Sequence, residues 1–116
     1  MTINKVSTAN AEYFVWGDKC DGWFLAKHPN ACVIQETMFP HTSEKKHYHE
    51  KTWQFIFVLS GILTVEIGDN EYQLNPLEGI EMPEIISHNF HNKTDNDLSY
   101  ILISAPNIVG DRINLE

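Results

Sequence analysis

An all-β barrel or sandwich is the fold this sequence predicts, and three observations predict it. No window of a dozen residues sustains helical periodicity. Apolar and β-branched runs are short, and glycine, proline, asparagine or aspartate interrupts them every few residues. Inside the clearest run, Trp53-Gln54-Phe55-Ile56-Phe57-Val58-Leu59, side chains two apart fall on one face, as on a strand with one side toward a core.

The chain has 116 residues, the size of one compact domain. Residues 1–10 are polar and unpatterned and read as an arm. Glu12 to Trp16 and Gly22 to Lys27 read as strands, the second stopped by His28-Pro29-Asn30. We take 1–30 as the arm with edge strands, 31–105 as the barrel and 106–116 as a C-terminal tail, all within one domain. Ala31 to Phe39 suits a longer strand, with Gln35, Thr37 and Phe39 on one face and Ile34, Glu36 and Met38 on the other. The pattern leaves open which of these faces points inward.

Pro40 to Lys46 reads as a polar loop, and strands follow near Lys46 to His49, Trp53 to Leu59 and Ile62 to Ile67. Gly68-Asp69-Asn70 is a hairpin signal, because these residues tolerate the positive φ of tight turns. Glu71 to Leu74, Gly79 to Met82, Ser87 to Asn92 and Leu98 to Ala105 complete the strands. In the tail, Gly110-Asp111-Arg112 reads as a turn with a local ion pair.

Composition narrows the function classes. With 42% hydrophobic and 21% charged residues the chain reads as globular. A net charge of -8 opposes binding to nucleic acid or an anionic membrane, since both need a positive surface. The longest apolar runs are far too short to span a bilayer, and the N-terminus lacks the apolar stretch of a secretory signal. Cys20 and Cys32 have no CxxC spacing and read as reduced, partly buried thiols, so a cytoplasmic location is expected. There is no GxSxG, P-loop or CxxC pair.

The chemistry centres on His47-Tyr48-His49. On a strand both histidines share a face, and two adjacent imidazoles suit a transition metal. His88 could add a third. The spacing of these residues resembles the two motifs of the cupins, small jelly-roll barrels that often bind one metal. The first motif, G-x5-H-x-H-x4-E-x6-G, falls on His41, His47, His49, Gln54 and Gly61. The second, G-x5-P-x-G-x2-H-x3-N, falls on Leu77, Pro83, Ile85, His88 and Asn92. His41, Leu77 and Ile85 replace glycines, and Gln54 replaces the glutamate.

The resemblance spans about Ala31 to Ala105. It implies a double-stranded β-helix with one divalent transition metal (Zn, Fe, Ni, Mn or Cu) on His47, His49 and His88, and Gln54 as fourth ligand. The residues themselves leave Gln54 three roles: ligand, a group orienting a bound water, or a polar lining of an empty pocket. A neutral amide in place of a carboxylate leaves more positive charge on a metal. His91 alternates in parity with His88 and is expected to face away. Phe90 shares the parity of His88 and is a candidate pocket or core residue. His41 reads as an exposed loop residue, and His28 carries no signal.

Two functions follow. One is a small metalloenzyme acting on a small oxygen-bearing metabolite, oxygenase-like or sugar-isomerase-like. The other is a non-catalytic binding or sensor module. A general acid or base near the metal separates them, and no carboxylate can be placed there from the sequence. Finally, Phe55, Phe57 and Leu59, with Trp53, form a row opposite Gln54. Leaving such a row in water is costly, so a homodimer is expected, with cover from residues Glu12 to Trp16 as the alternative.

Overall fold

A computed structural model describes residues 3–115, and among these there are strands and turns but no helix. The strands are β1 (Glu12–Trp16), β2 (Cys20–His28), β3 (Ala31–Met38), β4 (Thr42–Ser43), β5 (His47–Tyr48) and β6 (Trp53–Ser60) in the first half. The second half adds β7 (Leu63–Ile67), β8 (Asn70–Leu74), β9 (Gly79–Met82), β10 (His88–Asn92), β11 (Leu98–Ala105) and β12 (Ile113–Asn114). One sheet runs β1-β2-β3-β11-β6-β9 and the other β12-β5-β10-β7-β8, with β4 also on β10. All pairings are antiparallel, and the two sheets make a jelly-roll barrel.

Alternation decides what enters the barrel. On β6, Gln54, Ile56 and Val58 are buried while Trp53, Phe55 and Phe57 are half-buried outside. On β11, Leu98, Tyr100 and Leu102 are buried, and in register with them on β3 lie Met38, Glu36 and Ile34. The face of β3 that the sequence left open is therefore the Glu36 face. The core joins Met38, Ile56, Val58, Leu63, Val65, Met82, Phe90, Leu98 and Tyr100. Burying each such side chain stabilises by about 1.5–3 kcal/mol. The hairpin forms as expected: Ile67 pairs with Asn70 across Gly68-Asp69, with Gly68 at φ 59°.

Three expectations need correction. The loop from Pro40 to Lys46 contains the short strand β4, because Thr42 and Ser43 pair with Asn92 and His91. The tail is not a local turn. Its β12 pairs with β5, and Arg112 reaches back to Glu44, far earlier in the sequence, with Nη1 at 3.8 Å from Oε2. Cys20 and Cys32 are free, as expected, but fully rather than partly buried. In addition, β1 extends the edge of its sheet beside β2 and does not lie over the Phe55 row, so it cannot cover that row within one chain.

Three of the positions where the motifs have glycine keep a glycine-like backbone without glycine. His41, Leu77 and Ile85 have φ of 58°, 67° and 74°. A β-branched residue there is strained, because its Cβ crowds the neighbouring carbonyl. Gly61, which the motif retains, has φ 83°, and a Cβ would stand 2.6 Å from the Asp97 carbonyl oxygen. The motif asparagine, Asn92, is buried as a loop clamp. Its amide donates to the carbonyls of Met38 and Asn96, and its Oδ1 accepts from Thr94.

Candidate metal centre and the cavity around it

His47 lies on β5, His49 just beyond it, and His88 opens β10, directly across from His47 in the ladder. The three rings face one another, with centroids 4.4 Å apart for His47 and His88, 5.2 Å for His47 and His49, and 5.5 Å for His49 and His88. One ligand atom from each lies within 4.8 Å of the others, so the group is able to hold a metal ion.

The hydrogen bonds show which atoms those are. His47 Nδ1 is 2.8 Å from the Lys45 carbonyl, His49 Nδ1 is 2.6 Å from the Asp111 carbonyl, and His88 Nδ1 is 3.4 Å from the Ile86 carbonyl. A carbonyl only accepts, so Nδ1 carries the proton and Nε2 keeps its lone pair. Nε2 of His49 and of His88 is buried with no partner. A buried polar atom left unpaired is costly, and a divalent transition metal is the partner that three imidazole lone pairs fit. Burial also keeps the rings neutral. Desolvation pulls His47 down to about 3 and His88 to about 4, and lowers His49 as well.

Asp111 organises this corner. Its carboxylate accepts from the backbone N–H of Glu50 and Lys51 and from the Thr52 hydroxyl, at 3.1, 3.0 and 2.8 Å. The Lys51 hydrogen bond is the main reason its carboxyl sits below the usual range. The same residue's carbonyl orients His49. Gln54, on β6, is buried, and its amide nitrogen donates to Ser104 Oγ at 2.9 Å, which leaves its carbonyl oxygen for the cavity.

A cavity of about 230 Å³ opens in front of these groups, and His47, His49, Gln54, Glu36, Glu44 and Arg112 supply its polar lining. Two carboxyl groups therefore share the histidines' space, and sequence reasoning placed neither. Glu36, from β3, is buried and accepts the Tyr100 hydroxyl at 2.7 Å, and desolvation raises it to about 7. Glu44, beside β4, accepts the Phe90 N–H at 3.2 Å and faces Arg112. Desolvation raises it to about 8 against the pull of that guanidinium. For Glu36 the pattern holds no decisive signal: Cys32, Ile34 and Met38 share its face of β3, but Ala31, Val33 and Phe39 give the Gln35 face apolar company as well. Glu44 lies in a polar stretch and has no signal either.

The other candidates divide cleanly. Phe90 lines the cavity from the core. His91 faces away and pairs with Glu66 at 2.8 Å and Ser43 at 2.8 Å. His41 is exposed and pairs with Asp95.

A jelly-roll barrel with an inward group of three histidines defines a class of proteins. The chain belongs to the cupin domain family, whose model matches residues 35–104. No curated protein sequence matches the chain. Among solved structures it is similar to KdgF from Halomonas sp., at 17% identity and TM-score 0.80, over 88% of this chain and 94% of that one. It is also similar to the polyketide cyclase RemF from Streptomyces resistomycificus, at 15% identity and TM-score 0.84, over 99% and 87%. A third is a cupin-superfamily sugar phosphate isomerase from Silicibacter pomeroyi, at 19% identity and TM-score 0.78, over 88% and 75%. At these identities the likeness is one of fold.

Proposed function

We propose that the protein is a metal-dependent enzyme that moves a proton on a small oxygen-bearing metabolite, with His47, His49, His88 and Gln54 as metal ligands and Glu36 as the acid–base group. The observation that carries this reading is the shared cavity: Glu36 lines the same space as His47, His49 and Gln54. A bound divalent metal would act as a Lewis acid on a substrate oxygen. Glu36 would then take or return the proton at Oε2, since Tyr100 holds Oε1. A carboxyl group raised to about 7 exchanges protons readily at neutral pH. Such a group favours isomerisation or cyclisation over oxygen activation, and a cyclase and an isomerase are among the proteins of similar fold.

Glu36→Gln tests this, because it keeps the volume and the Tyr100 bond. Zinc-loaded protein should catalyse deuterium exchange from solvent into small hydroxy-ketones, followed by NMR. The variant should bind zinc equally and lose about 100-fold or more of that exchange. A wild-type protein inert toward the whole panel would favour the binding-module reading, and an active variant would remove Glu36 from the chemistry.

We also propose that two copies pair through the outer face of the sheet that contains β6 and β11. Phe57 and Phe55 stand in register with Ile101 and Ile103 there, all half-buried, and β1 leaves them uncovered. Light scattering should give a dimer, and Phe57→Glu a monomer or insoluble protein. The acidic surface supports no nucleic-acid or membrane partner, and the free buried thiols support a reducing cytoplasm.

A further inference from the structure

The cavity has a second wall, and its chemistry is the opposite of the first. Phe14, Trp16, Phe24, Ile34 and Leu102 line it, on the sheet that also carries Glu36 and Gln54 and opposite the sheet that carries His47 and His88. Phe14 and Phe24 pack as a tilted pair with centroids 4.6 Å apart, and Gly22 makes room for Phe14, since a Cβ there would run into its ring. The Trp16 indole N–H is spent on the Asp21 carbonyl at 2.8 Å, so Trp16 offers the cavity only carbon surface. A polyhydroxylated ligand against this wall would leave buried hydroxyls unpaired, each costly.

The protein's own side chains offer few partners to another class. A phosphate ester brings nearly two negative charges and needs several donors or cations. Arg112 is the one cation lining the cavity among the described residues, and Glu44 already faces it at 3.8 Å. The volume, about 230 Å³, is below the 300–1,000 Å³ or so of sites for drug-sized ligands, which limits the occupant to one or two rings.

We infer that the site takes a flat, largely apolar ring compound that presents a hydroxy-ketone or similar oxygen pair at one end and carries no charge elsewhere, and not a sugar phosphate. The oxygen pair faces the histidines and Gln54, and the ring lies against Phe24 and Ile34. This inference rests on the metal reading above and narrows its substrate.

Calorimetry on zinc-loaded protein tests it, with tropolone and glucose 6-phosphate as probes and zinc uptake measured separately. Tropolone should bind at least tenfold more tightly than glucose 6-phosphate. Phe24→Leu, which removes a ring, and Ile34→Thr, which replaces an ethyl arm by a hydroxyl, should each keep zinc uptake and weaken tropolone at least threefold. Two variants are used so that misfolding of one leaves the other as the test. Zinc uptake with equal or tighter binding of glucose 6-phosphate, or with tropolone indifferent to both changes, overturns this inference alone. A protein that takes up no zinc overturns the metal reading and this inference with it.

Discussion

The histidine wall and the carboxyl wall of the cavity are built on different plans. Each histidine has its Nδ1 near a backbone carbonyl, so the main chain fixes its tautomer. The carboxyl groups are held by side chains and long-range partners: Glu36 by Tyr100, Glu44 by Arg112 and the Phe90 N–H. Burial acts on both walls with opposite sign. It disfavours the charged form everywhere, so it lowers the histidines and raises the glutamates. The lesson is that one buried cavity can hold neutral bases and neutral acids side by side at the same pH.

The largest expected effect comes from loosening one backbone tie. Asp111→Ala removes the carboxylate that fastens residues 50–52, and frees the carbonyl that orients His49. Zinc affinity by chelator competition should fall about 10–100-fold, the usual cost of losing a partner that orients a metal ligand. Unchanged affinity would mean that β12 alone fixes that carbonyl.

The opposite signs can be separated by pH in metal-free protein. Histidines with folded values of about 3 and 4 lie below the unfolded value near 6.5, so their contribution is present above pH ~6.5 and is lost as pH falls toward 4. Glu36 runs the other way. Its stability contribution is present below about 4.5 and is lost as pH rises toward 7. Between pH 4.5 and 6.5 the two slopes oppose each other. Glu36→Gln should therefore make the urea midpoint climb more steeply with pH over that window than in the wild type. Parallel slopes would remove Glu36 from the titrating groups.

The smallest effect lies outside the cavity. Ile85 holds φ 74° in the open, 71% exposed, and its N–H donates to the His49 carbonyl at 2.6 Å. Ile85→Gly keeps that bond and relieves the left-handed strain, which should raise stability by about 1 kcal/mol in thermal unfolding. A loss of stability would show that the isoleucine contributes packing that its exposure hides.

What was legible in the sequence follows the same division. Strand parity put His47 and His49 on one face, and motif spacing added His88. Both are local signals of backbone geometry, and the strands near them form where the alternation says. The carboxyl wall was not legible, because it depends on which face of β3 turns inward and on a loop residue, Glu44. Its cation, Arg112, comes from a tail whose strand pairing no local pattern announces. The strain at Leu77 and Ile85 was readable as missing glycines, but only the backbone shows that the turns kept their conformation.

Metal stoichiometry tests the central claim most directly. Protein stripped of metal, loaded with zinc and desalted should carry one zinc per chain at neutral pH, measured by elemental analysis. His49→Ala leaves two imidazoles and should carry far less after the same treatment. Equal zinc in both proteins, or none in the wild type, would contradict the assignment of His47, His49 and His88 as the metal centre.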